Sequence, residues 1–316
     1  MDDEMNAVPC TTGRNPAVTF AMFTFNQAPY VREAVLAALG QDCEPIEIIL
    51  SDDCSSDDTF AIMQETVAAY RGPHRVMVRQ ERPNRGLIGH INAVLGIAGG
   101  EYIVLAAGDD LSRTDRVAVL MQEMAARPLL IHSGFDFMDE AGRPLAMKKP
   151  YEALLTGDLM TIAAARALYV GATGCWHRDL FEKYGLIEAA GAYEDLVMGY
   201  RAALAGRVAY VNRSLVRYRI GTGITTRPED ARAKVLRTCR ATIASFEQRL
   251  ADTRRFFPAR GDLIARIEKE RLREEAVIAW YSDRPAFLRR YAWRVSVQTY
   301  FVGAALARMR QRFAAD

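Results

Sequence analysis

Residues 102–110 read Tyr102-Ile103-Val104-Leu105-Ala106-Ala107-Gly108-Asp109-Asp110. The apolar run lies between Gly99-Gly100 and Gly108, too short for an ordinary helix and suited to a strand buried on both faces. It runs straight into two adjacent carboxylates. Upstream, apolar residues recur at helical spacing over Leu87–Ala98, and Arg75–Gln80 (RVMVRQ) reads as a strand. Thr59–Tyr70 is a second helix and Glu47–Leu50 (EIIL) a second buried strand. Tyr30–Gly40 (YVREAVLAALG) is a helix closed by glycine, and Val18–Phe25 (VTFAMFTF) a β-branched and aromatic strand. Alternating strands and helices over some ninety residues predict βαβ units and a mainly parallel sheet. Ligands of such sheets bind beyond the carboxyl ends of the strands. Asp52-Asp53 follows the second strand and Asp109-Asp110 the fourth, so both acidic pairs fall on that edge.

Beyond Arg113 the pattern loosens. Leu129–Ser133 is a short apolar strand, and Asp139–Pro144 (DEAGRP) is a hairpin turn. Thr161–Leu168 and Asp179–Tyr184 have helical spacing, the second ending at Gly185. Glu194–Leu204 is a helix with carboxylates in its first turn, where the helix dipole favours them. Val208–Val211 and Val216–Arg219 read as strands. From Glu229 only helical spacing is found, over Glu229–Ala251, Asp262–Tyr281 and Pro285–Arg312. The expected organisation is a polar segment at 1–16, an α/β domain at 17–226 and a basic helical region at 227–316.

The chain has 316 residues, half of them hydrophobic and a quarter charged, an ordinary globular balance. Its charge is uneven: residues 227–316 hold 20 Lys/Arg against 11 Asp/Glu, a net +9, and the remainder holds 21 against 28, a net −7. Cys10, Cys43, Cys54, Cys175 and Cys239 form no CxxC pair and read as reduced thiols of a cytosolic protein. His74, His90, His132 and His177 are dispersed, which argues against zinc. Met1–Asn15 has no apolar centre and does not read as a signal peptide, and no run of about 18 apolar residues exists. The acidic front and the lack of an aromatic platform argue against nucleic-acid binding.

Two adjacent carboxylates after a buried strand repel one another unless a cation or donors compensate. Mg²⁺ and Mn²⁺ suit oxygen ligands, and Mg²⁺ commonly binds one or two carboxylates plus substrate phosphates. A carboxylate at Asp52-Asp53 can accept hydrogen bonds from a nucleobase or a ribose. Taken singly, each pair, and Glu194-Asp195 as well, also suits a solvated turn or a helix cap.

Taken together with their flanks, the three pairs resemble the family 2 glycosyltransferases of the GT-A fold. Phe23-Thr24-Phe25-Asn26-Gln27 with Tyr30-Val31 is similar to the first strand and turn of that family. Ile49-Leu50-Ser51-Asp52-Asp53-Cys54-Ser55-Ser56-Asp57-Asp58-Thr59 resembles its VDDGSxDxT motif. Asn84-Arg85-Gly86 through Asn92 resembles its NxG…N helix, residues 102–110 its metal-site strand, and Tyr193-Glu194-Asp195 its ED motif. The resemblance covers Val18 to Thr226 and implies a Rossmann-like sheet flanked by helices.

It further implies that Thr24, Phe25 and Asn26 border the donor nucleotide, with Phe25 packing on the base. Asp53, with Asp52 as alternate, would read that base, often uracil. Asp109 and Asp110 would hold Mg²⁺ or Mn²⁺ and the donor, and Arg219 would meet the diphosphate. Asp195 would be the general base of an inverting transfer, with Glu194 orienting it or touching the acceptor. Residues 171–178 (GATGCWHR), with Trp176 and His177, would line the acceptor site. Three departures stand out: Ala107 replaces the usual first aspartate, Gly221-Thr222-Gly223 stands where a histidine often follows, and Ile91 replaces the third helix's arginine. The expected partners are a nucleotide-sugar, UDP-linked by preference, and a glycan or lipid-linked acceptor. Tyr291–Phe313 mixes arginines with aromatics and suits an anionic membrane surface on the cytoplasmic side, a homodimer contact, or packing on the α/β domain. Two alternatives stay open: a nucleotidyltransferase, although no glycine-rich loop follows the first strand, and a nucleotide- or glycan-binding module of the same fold that has lost turnover.

Overall fold

A computed structural model describes residues 17–147, 152–222, 230–291 and 293–294. Its first part is three strand–helix repeats and a fourth strand. β1 (Val18–Thr24), β2 (Glu47–Asp52), β3 (Arg75–Gln80) and β4 (Tyr102–Ala107) alternate with α1 (Val31–Leu39), α2 (Thr59–Ala68) and α3 (Gly86–Leu95). Then come β5 (Leu111–Ser112), α4 (Arg116–Glu123), β6 (Leu130–Met138), β7 (Pro144–Leu145) and α5 (Leu159–Ala164). β8 (Gly174–His177), α6 (Asp179–Glu182), α7 (Glu194–Leu204) and β9 (Val208–Arg219) complete the α/β part.

The nine strands form one sheet in the order β3-β2-β1-β4-β8-β6-β9-β5, with β7 hairpinned onto β6. β3, β2, β1 and β4 are parallel, as the βαβ reading requires. β8 is antiparallel to both β4 and β6, and β9 is parallel to β6, so the whole sheet is mixed. The strand order reverses between β1 and β4, which places a crevice beyond their carboxyl ends. Val18, Phe20 and Met22 of β1 join Ile48, Leu50, Val104 and Ala106 in the core shared with Val31, Val35, Met63, Val117 and Leu120. The alternate residues turn to the other face, where Phe23 meets His90 of α3 edge-on at 5.2 Å.

Several expectations change. The loop expected over 171–178 contains β8, a fully buried strand wedged between β4 and β6. The two strands expected at 208–211 and 216–219 are one, bent by register shifts where Ser133 and Gly134 of β6 face Val211 and Ser214. The helix expected over 161–168 runs from Leu159 to Ala164 and starts two residues earlier, because the Asp158 carboxylate caps the amides of Met160 and Thr161.

The chain divides into two compact units, one comprising residues up to Ala190 and Glu194–Pro228, the other Gly191–Tyr193 and the residues from Glu229 on. The boundary expected at Thr226 lies outside the described residues. Within the second unit α8 (Ala231–Phe256) and α9 (Gly261–Ser282) form an antiparallel pair tied by Arg254–Glu268 and Arg271–Glu247 ion pairs. α10 (Arg284–Arg290) seats Phe287 on α9, and Tyr291 just beyond it joins the same small core around Ala276. The helix expected over 285–312 therefore ends at Arg290, and 295–316 lie outside the described residues.

Candidate active site

The acidic pairs are built from loops at the carboxyl edge of the sheet. After β1 the chain turns through Asn26 at φ 52°, and after β2 through Cys54 at φ 60°. Left-handed backbone is disfavoured for non-glycine residues, and here the two turns hold each other. The Asn26 amide donates to Ser55 Oγ at 2.8 Å, and Asn26 Oδ1 accepts from the Ser56 amide at 2.8 Å. The Gln27 and Ala28 amides donate to Thr59 Oγ1 and Asp57 Oδ2.

That network absorbs part of the expected nucleotide site. Asp52 is wholly buried and accepts from the Ser55 amide and hydroxyl, Gln80 Nε2 and Thr24 Oγ1. Its carboxylate is a strut of the turn, which removes it as the alternate base reader. Thr24 is buried too, its hydroxyl turned toward Ser51 O and Asp52. Asn26 spends its side-chain oxygen on Ser56. Phe25, by contrast, is 42% exposed, unusual for an aromatic. Asp53 accepts the Arg85 amide on Oδ1 at 2.8 Å, and its carbonyl takes Asn84 Nδ2, so the start of α3 holds it in place. Its second oxygen takes no hydrogen bond among the described residues.

Beside these turns, β4 ends against β1. A Cβ at Gly108 would stand 2.5 Å from Thr24 Cγ2 and 2.6 Å from Gln27 Oε1, so only glycine lets the acidic turn come this close. Asp109 accepts hydrogen bonds from Thr222 Oγ1 at 2.8 Å and from the Gln27 side chain. Asp110 Oδ1 accepts the Arg219 amide at 2.8 Å, while its Oδ2 is buried without a partner. Burial pushes the Asp109 carboxyl above the usual carboxylate range, and burial with Asp109 alongside pushes Asp110 well above it. Such a pair is short of positive charge. An orphaned carboxylate oxygen beside a second carboxylate fits a hard divalent cation completed by a ligand's phosphates. Among the described residues no group of three or more His, Cys, Asp or Glu could hold a metal alone, so the fit rests on this pair.

Arg219 does not play the part expected of it. It is 2% exposed, and four of its five N–H groups are taken. Nε donates to Asp109 O at 2.9 Å, Nη1 to Asp139 O at 3.1 Å and Glu140 O at 2.7 Å, and Nη2 to Glu33. The guanidinium lies 4.7 Å over the Tyr30 ring. It clamps the acidic turn to α1 and to the β6–β7 hairpin and is not free to embrace a diphosphate.

Glu194 and Asp195 begin α7 in the same unit. Asp195 Oδ1 accepts the Leu196 amide at 2.7 Å, at the positive end of the helix. Burial raises the Glu194 carboxyl. Both lie against the turn before β8: a Cβ on Gly171 would meet Glu194 Oε1 at 2.2 Å and sit 3.8 Å from Asp195 Cβ. Arg116, fully buried, donates from Nη2 to Ala172 O at 2.8 Å and feels the charge of Asp110. Arg116 thus ties the 171–173 turn, which packs on the start of α7, to a position within electrostatic reach of Asp110.

Trp176 and His177 do not fit the expected acceptor role. Trp176 is wholly buried, its Nε1 donating to Tyr169 Oη at 2.9 Å. His177 is buried opposite Tyr102, at the amino end of β4 and away from Asp109, with Glu101 at 3.1 Å. Both belong to the interior because β8 is a central strand. Conversely, Gln27, Glu33, Arg116, Gly171 and Thr222 shape the site and were not singled out for it. Gln27, Gly171 and Thr222 stood inside stretches quoted for the site, whereas Glu33 and Arg116 carry no local signal for it.

The fold is thus a doubly wound sheet whose switch point carries the acidic turn beside the turns that follow β1 and β2. Residues 19–180 match the model of Glycosyl transferase family 2, and the chain belongs to that family. The succinoglycan biosynthesis protein ExoO of Rhizobium meliloti is 33% identical over 140 residues, covering 44% of this chain and 39% of that protein. This chain thus matches less than half of that relative's length. Among solved structures, mannosyltransferase PcManGT from Pyrobaculum calidifontis, in complex with GDP-Man and Mn²⁺, superposes with a TM-score of 0.60 at 18% identity. That match covers 96% of this chain and 84% of the other. TarS 1–349 of S. aureus, in complex with UDP-GlcNAc, gives 0.56 at 14%, covering 90% and 92%. At these identities the structural likeness speaks for the fold.

Proposed function

We propose that this protein is an inverting glycosyltransferase that moves a sugar from a nucleoside-diphosphate donor, UDP-linked by preference, to a hydroxyl of a glycan or lipid-linked glycan. The observation that carries the reading is the acidic turn: Asp109 and Asp110, buried with Asp110 Oδ2 unpartnered, stand beside the β1 and β2 turns that present Phe25 and Asp53. Family membership and the donors bound in the two structural neighbours support it.

Asp109 and Asp110 are the residues that would hold Mg²⁺ or Mn²⁺; the mannosyltransferase neighbour is in complex with Mn²⁺. Bound there, the cation would offset the charge that grows on the departing diphosphate. The protein's own part is positioning and proton transfer. Phe25 offers an exposed ring to the base and Asp53 a carboxylate oxygen to its N–H groups. Gln27 and Thr222 hold Asp109 in orientation, and Arg219 fixes the turn from behind. Asp195 takes the proton of the attacking hydroxyl on the face opposite the leaving group, held at the first turn of α7 for that purpose. Glu194, raised by burial, orients Asp195 or touches the acceptor.

Incubation with UDP-, GDP- and dTDP-sugars and Mn²⁺, scored by released nucleotide, tests the proposal. Mn²⁺-dependent release from one donor class supports it. Nucleotide binding without turnover would favour a binding module, and pyrophosphate-dependent turnover a nucleotidyltransferase.

A further inference from the structure

The second unit carries a feature that sugar transfer does not use. Phe287 of α10 and Tyr291 just beyond it turn inward and join Leu272, Ala276 and Ala279 in a small core. Facing outward from the same segment are Leu288, 58% exposed, and Trp293, 83% exposed, with Trp280 of α9 at 37%. Arg284, Arg289, Arg290 and Arg294 surround them, all exposed, with Arg284 lying 4.8 Å over the Trp280 ring. From Arg284 to the last residue the sequence holds seven arginines, and its one acidic residue is Asp316.

A lone exposed leucine is ordinary on a protein surface. An exposed tryptophan and leucine within a stretch of unpaired positive charge is a different combination. Indole and arginine together suit a bilayer interface, the ring at headgroup depth and the guanidinium on phosphate. No helix among the described residues is long and apolar enough to cross a membrane.

We infer that the Arg284–Arg294 segment is a docking surface for an anionic phospholipid bilayer, which the protein engages peripherally through Leu288, Trp293 and the surrounding arginines. The inference is independent of which sugar is transferred. It gives the chain a reason to work where lipid-linked substrates lie.

The test uses the full chain and sedimentation with two kinds of vesicle: phosphatidylcholine alone, and equal parts phosphatidylcholine and phosphatidylglycerol. Wild type is expected to pellet with the anionic vesicles and not with the neutral ones, and to be released by high salt. The double variant Arg289→Glu/Arg294→Glu spares Phe287 and Tyr291, so α10 keeps its seat. It should lose at least about thirtyfold in partitioning, from about 1 kcal/mol per surface arginine. Trp293→Ser should weaken binding without altering its salt dependence. Equal binding of wild type to both vesicles, binding to neither, or an unchanged double variant overturns the inference. Release of nucleotide from a soluble donor, followed in the same samples, reports on the transferase reading separately, since none of these residues belongs to that site.

Discussion

Replacing Arg219 by lysine separates a clamp from a ligand. The guanidinium serves three backbone carbonyls, those of Asp109, Asp139 and Glu140, and the Glu33 carboxylate. A lysine ammonium keeps the charge but lacks the planar fork, and from one point it cannot reach all three. At least two of these carbonyls, the buried one of Asp109 and the part-buried ones of Asp139 and Glu140, would then lose their donor, at about 1–3 kcal/mol each. The Glu33 end is 47% exposed and adds little. The expected loss is about 4 kcal/mol, and at roughly 2–4 °C per kcal/mol for a domain of this size the Tm should fall by about 8–16 °C. Thermal unfolding followed by circular dichroism reads this directly, and titration with UDP and Mn²⁺ on the folded variant reads the site. A Tm within about 2 °C of wild type, together with a loss of diphosphate affinity, would refute the clamp and restore Arg219 as a direct ligand.

Three further outcomes follow from the same geometry. Asp195→Asn should lower kcat by roughly 10²–10⁴-fold with donor affinity little changed, read by steady-state kinetics beside nucleotide titration. Gly171→Ala places a methyl 2.2 Å from Glu194 Oε1, so the Glu194 side chain beside Asp195 must swing away. Its kcat should fall by about a hundredfold in the same kinetic assay with the fold retained. His90, packed on Phe23 and hydrogen-bonded to Ser51 Oγ at 2.7 Å, is held by burial from its ordinary 6.5 down to about 4. The unfolded chain then binds more protons between these values, so this contribution is whole above pH 6.5 and is lost as pH falls to about 4. It amounts to about 3 kcal/mol in urea-midpoint measurements, and His90→Gln should flatten that slope.

The parallel half of the sheet was legible because buried parallel strands are near-continuous apolar runs, as in EIIL and YIVLA, and two of the three helices between them end at glycines. β8 was not, because Gly174-Cys175-Trp176-His177 is four residues long with glycine and histidine at its ends, and its burial comes from β4 and β6 on either side. The bend in β9 is equally hidden, since Asn212 and Arg213 look like a turn until β6 pairs across them. In the candidate site, Asp53, Asp109 and Asp110 could be placed at the carboxyl edge of the sheet by their position after strands, whereas Asp195 was offered for a role only by the family resemblance. Asp52 and Asp53 could not be told apart, because the donors that claim Asp52 come from Thr24, Ser55 and Gln80. Arg219 is the sharpest case. A buried arginine beside an acidic pair suggests an anion ligand, and only its remote partners Glu33, Asp139 and Glu140 reveal a brace.

The central claim is that Asp109 and Asp110 hold a divalent cation against a nucleoside diphosphate. Electron paramagnetic resonance of Mn²⁺ titrated with UDP, in wild type, Asp110→Asn and Asp195→Asn, tests it. Bound Mn²⁺ that appears with UDP in wild type and Asp195→Asn, and is lost in Asp110→Asn, is the predicted result. Bound Mn²⁺ of equal intensity in Asp110→Asn would contradict the account.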